Sequence, residues 1–475
     1  MGPRKTEVDI LAKLDTTLLA LCVAVSLAAA GAAGAQTLRD SAQEAVRSNP
    51  RVDVVAFNRQ AVEQELARAR GQYLPQLDLR AGGGLEWSDN GTTRARRGSA
   101  NLPRRETGAF VTQRLFDGWE TDSAVERQKA RGQSAARRVG ETSEVVTLDA
   151  VEAYIDVLRQ RRLVRLAEQN LEIHRQIVGR ISQRVGRGAA PAADQEQARA
   201  RLDNAQATLV ETQGALEDAE KRYLIIVNRR AGELVAAEFP QAAMRDIRTL
   251  DAAIERSRAG NRSLKVTEAD IAVAENEIGV ADAAAYPKLN LELGATRDRN
   301  IDGTRGDSND ASALVVMRWN LYRGGSNEAQ RRVALGRMSQ AMAQRHATAR
   351  STEEEARRSW VQYQTASERI PPLTGAVDKS RRVRDAYTDQ FFNQGQRSLI
   401  DVLNAENELF VSRGRLVSAE SSRVFSACRL LAAIGELVTF LHLEMPPEAD
   451  EGRGAKVPVD PRPGPRDALT RSRGS

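Results

Sequence analysis

Tyr73-Leu74-Pro75-Gln76-Leu77-Asp78-Leu79-Arg80 and Tyr286-Pro287-Lys288-Leu289-Asn290-Leu291-Glu292-Leu293 are two versions of one signal. A helical stretch stops at a proline, and strict apolar/polar alternation follows. Leu77, Leu79, Ala81, Leu85 and Trp87 fall on one face, against Gln76, Asp78, Arg80 and Glu86 on the other. In the second copy Leu289, Leu291, Leu293 and Ala295 oppose Lys288, Asn290 and Glu292. A period of two with one apolar and one polar face describes a sheet with a different medium on each side.

Outward from these strands the chain repeats. Asn49 precedes Pro75 by the same spacing that separates Asn261 from Pro287. Leu115-Phe116-Asp117-Gly118 matches Leu321-Tyr322-Arg323-Gly324, and Gly188 and Asp194 match Gly395 and Asp401. Three landmarks in the same order indicate two copies of a unit of about 200 residues, too long a period for a solenoid or propeller. Each unit reads helix, strand, loop, strand, very long helix, turn, helix. The returning strands are expected at Gly108 to Phe116 and Ala311 to Tyr322, and the polar loops at Asp89 to Arg105 and Asp298 to Asp310. Strands of ~10 residues suit a tilted crossing of a bilayer's hydrocarbon core. Four strands cannot close a barrel, which needs about eight, and open edges are not viable in lipid, so several chains must share one.

The helical runs are long. Trp119 to about Val185 contains no proline, and Asn327 to about Gln394 is its counterpart. Each would extend roughly 100 Å at ~1.5 Å per residue. Leu163, Leu166, Leu171, Ile177 and Ile181 suggest an apolar stripe near coiled-coil spacing. Pro371-Pro372 should kink or break the second run. The divisions expected are a signal peptide at 1–35, a first repeat at 36–230, a connecting segment at 231–256, a second repeat at 257–440 and a disordered tail at 441–475, rich in Pro, Gly and charge.

Composition agrees with long helices. Of 475 residues, 28% are charged and only 4% aromatic, which leaves little for several large compact cores. Mean hydropathy of −0.47 excludes a helical integral membrane protein. The 70 Lys+Arg and 64 Asp+Glu are intermixed, so the net +6 reads as a solvated helical surface rather than a nucleic-acid site. At the N-terminus, Arg4 and Lys5, the apolar run from Leu18 and the A-x-A-like Ala33-Gly34-Ala35 form a secretory signal, with Gln36 the first mature residue. Glu7, Asp9 and Asp15 ahead of that run suggest a start further downstream. Leu21 is too large to precede a lipidated cysteine at Cys22. The mature chain then keeps Cys428 alone, with no internal disulfide, as a small buried residue.

With its two Asn…Pro segments, Leu-Phe-Asp-Gly-Trp at 115–119 and Gly-Gln-Arg-Ser-Leu-Ile-Asp-Val-Leu-Asn-Ala at 395–405, the chain resembles the TolC family of outer-membrane efflux and secretion ducts over about residues 36–440. The resemblance implies a mainly α fold with β: a homotrimer in which a 12-stranded outer-membrane β-barrel continues into a periplasmic α-helical barrel. It implies passive outward transport of proteins or small toxic molecules, docked through a periplasmic adaptor to an inner-membrane ABC or proton-driven transporter. Lacking lipidation, the chain looks more like a type I secretion partner than a drug-efflux lipoprotein. The family's periplasmic iris would fall on Asp194, Arg397, Asp401 and Asn404. Arg397 would pair with Asp194 to hold the tips shut, and Asp401 would line the constriction. The family often has a second carboxylate where Asn404 stands, so the ring would carry three charges rather than six and bind cations more weakly. Independently of the resemblance, Asp194 and Asp401 are acidic residues near helix N-termini, where the helix dipole favours them.

No catalytic constellation is present. His174, His346 and His442 are scattered, and Gly82-Gly83-Gly84 lies within a strand, so no metal, cofactor or phosphate loop is expected. Two other readings compete. A periplasmic coiled-coil adaptor would need only one hairpin and would not duplicate the strands. A basic coiled-coil protein binding nucleic acid would carry a basic arm and no export signal.

Overall fold

The computed structural model describes residues 35–96 and 98–452. The expected signal peptide, apart from Ala35, and residues 453–475 of the expected tail lie outside the described residues.

Helices α1 (Leu38–Ser48) and α2 (Pro50–Gly71) lead into strand β1 (Gln76–Ser88). A short helix α3 (Gly91–Ala95) and β2 (Ala100–Phe116) follow, then the very long α4 (Glu120–Gly186) and its return α5 (Ala192–Val227). After a small helix α6 (Gln241–Arg245), the second unit runs α7 (Leu250–Gly260), α8 (Arg262–Asp282), β3 (Lys288–Arg299), β4 (Asp307–Arg318), α9 (Ser326–Asp389) and α10 (Leu399–Ala433), ending in α11 (Leu437–Phe440). Helix α7 is the counterpart of α1 and begins at Leu250, so the second unit starts before residue 257.

The matched landmarks have matched structural roles. Asn49 ends α1 and caps α2, accepting from the Arg51 amide at 3.0 Å. Asn261 ends α7 and caps α8, accepting from the Leu264 amide at 3.2 Å. An asparagine side chain satisfies one orphan amide at a helix start, which is why it marks the break in both copies. At the strand-to-helix corners, Gly118 (φ 70°) and Trp119 (φ 63°) are both left-handed, as are Gly324 (φ 60°) and Gly325 (φ 82°). A Cβ on Gly118 would lie 2.5 Å from the Tyr286 Cβ, so only glycine fits there.

The four strands form one antiparallel sheet in the order β1-β2-β3-β4, with a bulge between Arg114 and Phe116. β2 begins at Ala100, earlier than the expected Gly108, and β4 covers Asp307–Arg318 rather than Ala311 to Tyr322. The polar run Pro103-Arg104-Arg105-Glu106 is strand because its partners on β1 and β3 supply the ladder.

Helix α4 has 67 residues, about 100 Å at ~1.5 Å each. Its buried face is rich in small side chains such as Ala130, Ala135, Ala136, Ala150 and Ala153, which let neighbouring helices approach without aromatic filling. Further along, the buried seam is Val164, Ala167, Leu171, His174, Ile177 and Ile181. Leu163 and Leu166 are only half-buried, so the stripe lies one residue from the position expected there. The seam meets Ala205 and Leu209 of α5.

Of the expected kink or break at Pro371-Pro372, the break does not occur: helix α9 runs through both. Each proline removes one backbone donor, and both residues are exposed. Nor is the whole of 441–475 disordered. Residues 441–452 lie ordered along α1, α2 and α4, with Glu444 bound by Arg47 at 2.5 Å, Glu448 by Gln60 at 3.0 Å and Glu451 by Arg137 at 3.0 Å. Cys428 is buried as expected, 1% exposed in a cluster with Leu430, Leu431, Ile434 and Leu437. Burial pushes its thiol up to about 12.

Candidate functional site

The sheet register sorts the strands into two faces. Leu77, Val111, Leu293 and Ala313 form one cross-strand row, and Leu79, Ala109, Ala295 and Ala311 the next. Nothing among the described residues covers this face. Leu77 is 66% exposed, Leu79 80% and Met317 62%. Each such side chain forgoes about 1.5–3 kcal/mol of burial while it faces water. The opposite face is polar. Arg104 pairs with both Glu86 and Glu106, Glu106 also meets Arg80 at 3.9 Å, and Arg318 holds Glu292 at 2.8 Å. Such alternation suits a wall between lipid and an aqueous lumen. Strands β1 and β4 end the sheet with unpaired edges.

At the foot of the apolar face stands an aromatic collar that the strand alternation did not reveal. Trp119 meets Phe116 edge-on at 5.2 Å and Tyr286 at 5.5 Å. Trp319 donates its indole N–H to the Ala285 carbonyl at 3.1 Å. Amphipathic rings with one wet edge belong at a hydrocarbon–water boundary. The signal available in sequence was the clustering of Tyr73, Trp119, Tyr286, Trp319 and Tyr322 at the strand ends. Behind Trp119, Asp117 accepts from the Thr121 amide at 2.9 Å and from Arg114 at 3.1 Å, fixing the start of α4. The second corner has Arg323 in that place.

At the other end of the helices the two hairpin tips pack together. Ile177, Ile181 and Ala198 of the first hairpin join Phe391, Leu399, Val402 and Leu403 of the second in one cluster. Arg180 stacks over Phe392 and Arg184 over Phe391, each at 5.0 Å, and Arg184 also donates to the Phe391 carbonyl at 3.2 Å. Helix α9 ends in one turn of π-helix, Gln390–Gln394, closed by Gly395 at φ 68°. Buried Glu406 is held by Arg384 at 3.2 Å, yet burial outweighs that charge and raises its pKa.

The four residues expected at the constriction all lie near these tips. Asp194 sits half-buried in the first turn of α5. Asp401 closes a capping box with Ser398, whose hydroxyl donates at 2.8 Å. The Ser398 hydroxyl and amide, and then the charge of Arg397, hold the Asp401 carboxyl below the usual carboxylate range. Asn404 is exposed and accepts from Arg201 at 3.2 Å. The expected Arg397–Asp194 pair is not formed within the chain. Arg397 instead lies 4.3 Å over the Tyr387 ring, donates to Gln390 at 3.1 Å and approaches Asp401 at 3.9 Å. It directly precedes the Ser398 cap, and its guanidinium is drawn onto its own hairpin.

His174 is 4% exposed inside the hairpin seam, and burial, then the charge of Arg201, lowers its pKa. Among the described residues, no group of His, Cys, Asp and Glu could hold a metal ion, and no helix is long and apolar enough to cross a membrane.

The outer membrane efflux protein family model matches residues 41–223 and 253–436, one segment in each unit. The outer membrane efflux protein BepC of Brucella suis is 24% identical over 86% of this chain and 87% of its own length. The outer membrane protein TolC of Vibrio cholerae is 27% identical over 88% of this chain and 95% of its own. Among solved structures, CusC, whose crystal structures concern folding and transmembrane channel formation, superposes with a TM-score of 0.72 at 17% identity, over 84% of this chain and 92% of that one. The fold is thus that of the outer-membrane channels that join a β-barrel to an α-helical barrel. With a match over most of both units, the chain belongs to the outer membrane efflux protein family.

Proposed function

We propose that three copies of the chain form a passive exit duct. Their sheets close edge to edge into a 12-stranded barrel in the outer membrane, and their hairpins continue it as a tunnel through the periplasm. The observation that carries this reading is the uncovered apolar face of a sheet that ends in two open edges. Lipid would take the face, and the edge strands of neighbouring copies would take each other. The duct would dock with a periplasmic adaptor and an inner-membrane ABC or proton-driven transporter, which supplies the energy. The cargo would be secreted protein or small toxic molecules. No cofactor enters the account.

At the periplasmic mouth, Asp194, Arg397, Asp401 and Asn404 are the proposed gate. Asp194 makes no ion pair among the described residues of its own chain, so its partner would be Arg397 of a neighbouring copy. Asp401 would supply one carboxylate per copy to the constriction. The test is fractionation of the expressed protein. It should travel with the outer membrane and run on gels as a heat-resistant oligomer. Recovery with the inner membrane would favour an adaptor, and recovery in the soluble fraction would exclude both.

A further inference from the structure

We propose that Arg105, Arg297 and Arg299 form a binding row for the phosphate groups of an outer-leaflet glycolipid. This rests on the reading of the sheet as part of an outer-membrane barrel. Arg105 of β2 lies directly opposite Arg299 of β3, and Arg297 is one outward position away, opposite Thr107. Residues paired across an antiparallel ladder project on the same side, here the apolar face. Like charges directly opposite each other are destabilising. One acid, Asp307, meets Arg299 at 3.6 Å, whereas Arg105 and Arg297 have no carboxylate partner among the described residues. All three arginines are exposed. The polar face handles its arginines differently, matching Arg104 with two glutamates. The outward row therefore has excess positive charge, at a place where hydrocarbon on one side removes the water that would screen it.

The height of the row fits a headgroup. From Phe116 in the aromatic collar to Arg105 is eleven residues along β2, about 36 Å at ~3.3 Å each. Tilted by roughly 40°, that is about 28 Å along the barrel axis, close to the ~25 Å apolar band of such barrels. The row lies on the loop side of that band, away from the helices, which places it at the outer leaflet. Below it, Ala81, Thr107, Ala109 and Ala295 are small and leave a shallow depression of about 420 Å³ beside Leu79 and Arg297. An acyl chain fits the depression while its phosphate meets the guanidinium groups above, as Arg favours bidentate phosphate contacts.

The experiment is native mass spectrometry of the detergent-purified oligomer titrated with bisphosphorylated lipid A, with phosphate-free lipid A and with inorganic phosphate. The expected result is a preference of about thirtyfold for the bisphosphorylated lipid, from roughly one surface-charge interaction for each of the two unpaired arginines. The preference should weaken in salt. It should vanish in the Arg105→Gln/Arg297→Gln/Arg299→Gln variant and persist, weakened, in the corresponding triple Lys variant, which keeps the charge without the bidentate fork. The single Arg105→Gln and Arg297→Gln variants, each expected to reduce the preference, serve if the triple Gln variant fails to assemble. Equal binding of the two lipids, or a preference unchanged by the Gln substitutions, overturns the proposal. So does competition by millimolar inorganic phosphate, which would mean a site for a free anion. If the wild-type chain never assembles in the outer membrane, the barrel reading fails with it. If it assembles without preferring the phosphorylated lipid, this inference alone fails.

Discussion

The Asn261 side-chain amide donates to the Ala433 carbonyl at 2.9 Å, tying the break between α7 and α8 to the far end of α10. Asn49 makes the equivalent link to Ile226, near the end of α5, at 3.4 Å. One residue thus caps a helix and closes each repeat onto itself. Asn261→Ala should cost about 1–2 kcal/mol, from a lost cap and a lost hydrogen bond to a carbonyl that still accepts from the Ser257 hydroxyl at 3.0 Å, and Asn49→Ala less because its second bond is long. Thermal unfolding of the two purified variants checks the order. Equal midpoints would remove the distinction.

The corner at Gly118 is intolerant for two reasons at once, a left-handed backbone and the Tyr286 Cβ that a methyl group would strike. Gly118→Ala should sharply reduce the yield of heat-resistant oligomer. Gly325→Ala is left-handed too, but a Cβ there meets nothing within 4 Å, so it should cost only about 1–2 kcal/mol. Gel quantification of assembled protein separates the two.

Glu406 gives the tips a pH dependence of defined sign. Its folded pKa is raised, by burial first and against the opposing charge of Arg384. Its contribution is fully present below the unfolded value of about 4.3 and is lost as pH rises through the raised folded value. Hydrogen exchange around Leu399 to Leu409, corrected for intrinsic rates, should therefore slow on mild acidification. Glu406→Gln should flatten that response, and a variant with unchanged pH dependence would assign it elsewhere.

Arg397 is held by Tyr387, Gln390 and Asp401 of its own chain, and the proposed gate adds Asp194 of a neighbour. Arg397→Gln should raise single-channel conductance in planar bilayers and shorten closed dwell times. No change in either would leave Asp401 and Arg397 as parts of a helix cap and nothing more.

The features legible in sequence were local. Asn49, Asn261, Pro75 and Pro287 mark breaks because caps and prolines act on their own backbone, and the alternation after each proline gave the two-faced strands. What failed to show was non-local. The early start of β2 depends on pairing that carries a polar run into the sheet. The order of residues 441–452 depends on Glu444, Glu448 and Glu451 finding Arg47, Gln60 and Arg137, hundreds of positions away. Helix α9 passes Pro371-Pro372 because packing along its length outweighs two lost donors on an exposed face. At the proposed gate, sequence could place Arg397 beside the tip, and within its own chain local geometry gives it Tyr387, Gln390 and Asp401.

The central claim is that the sheet of one chain is an incomplete wall. Light scattering of the detergent-purified mature protein, with the detergent mass subtracted, measures it most directly. Particles of three protein copies are expected, and a chain that stays monomeric and soluble after the detergent is removed would contradict the account.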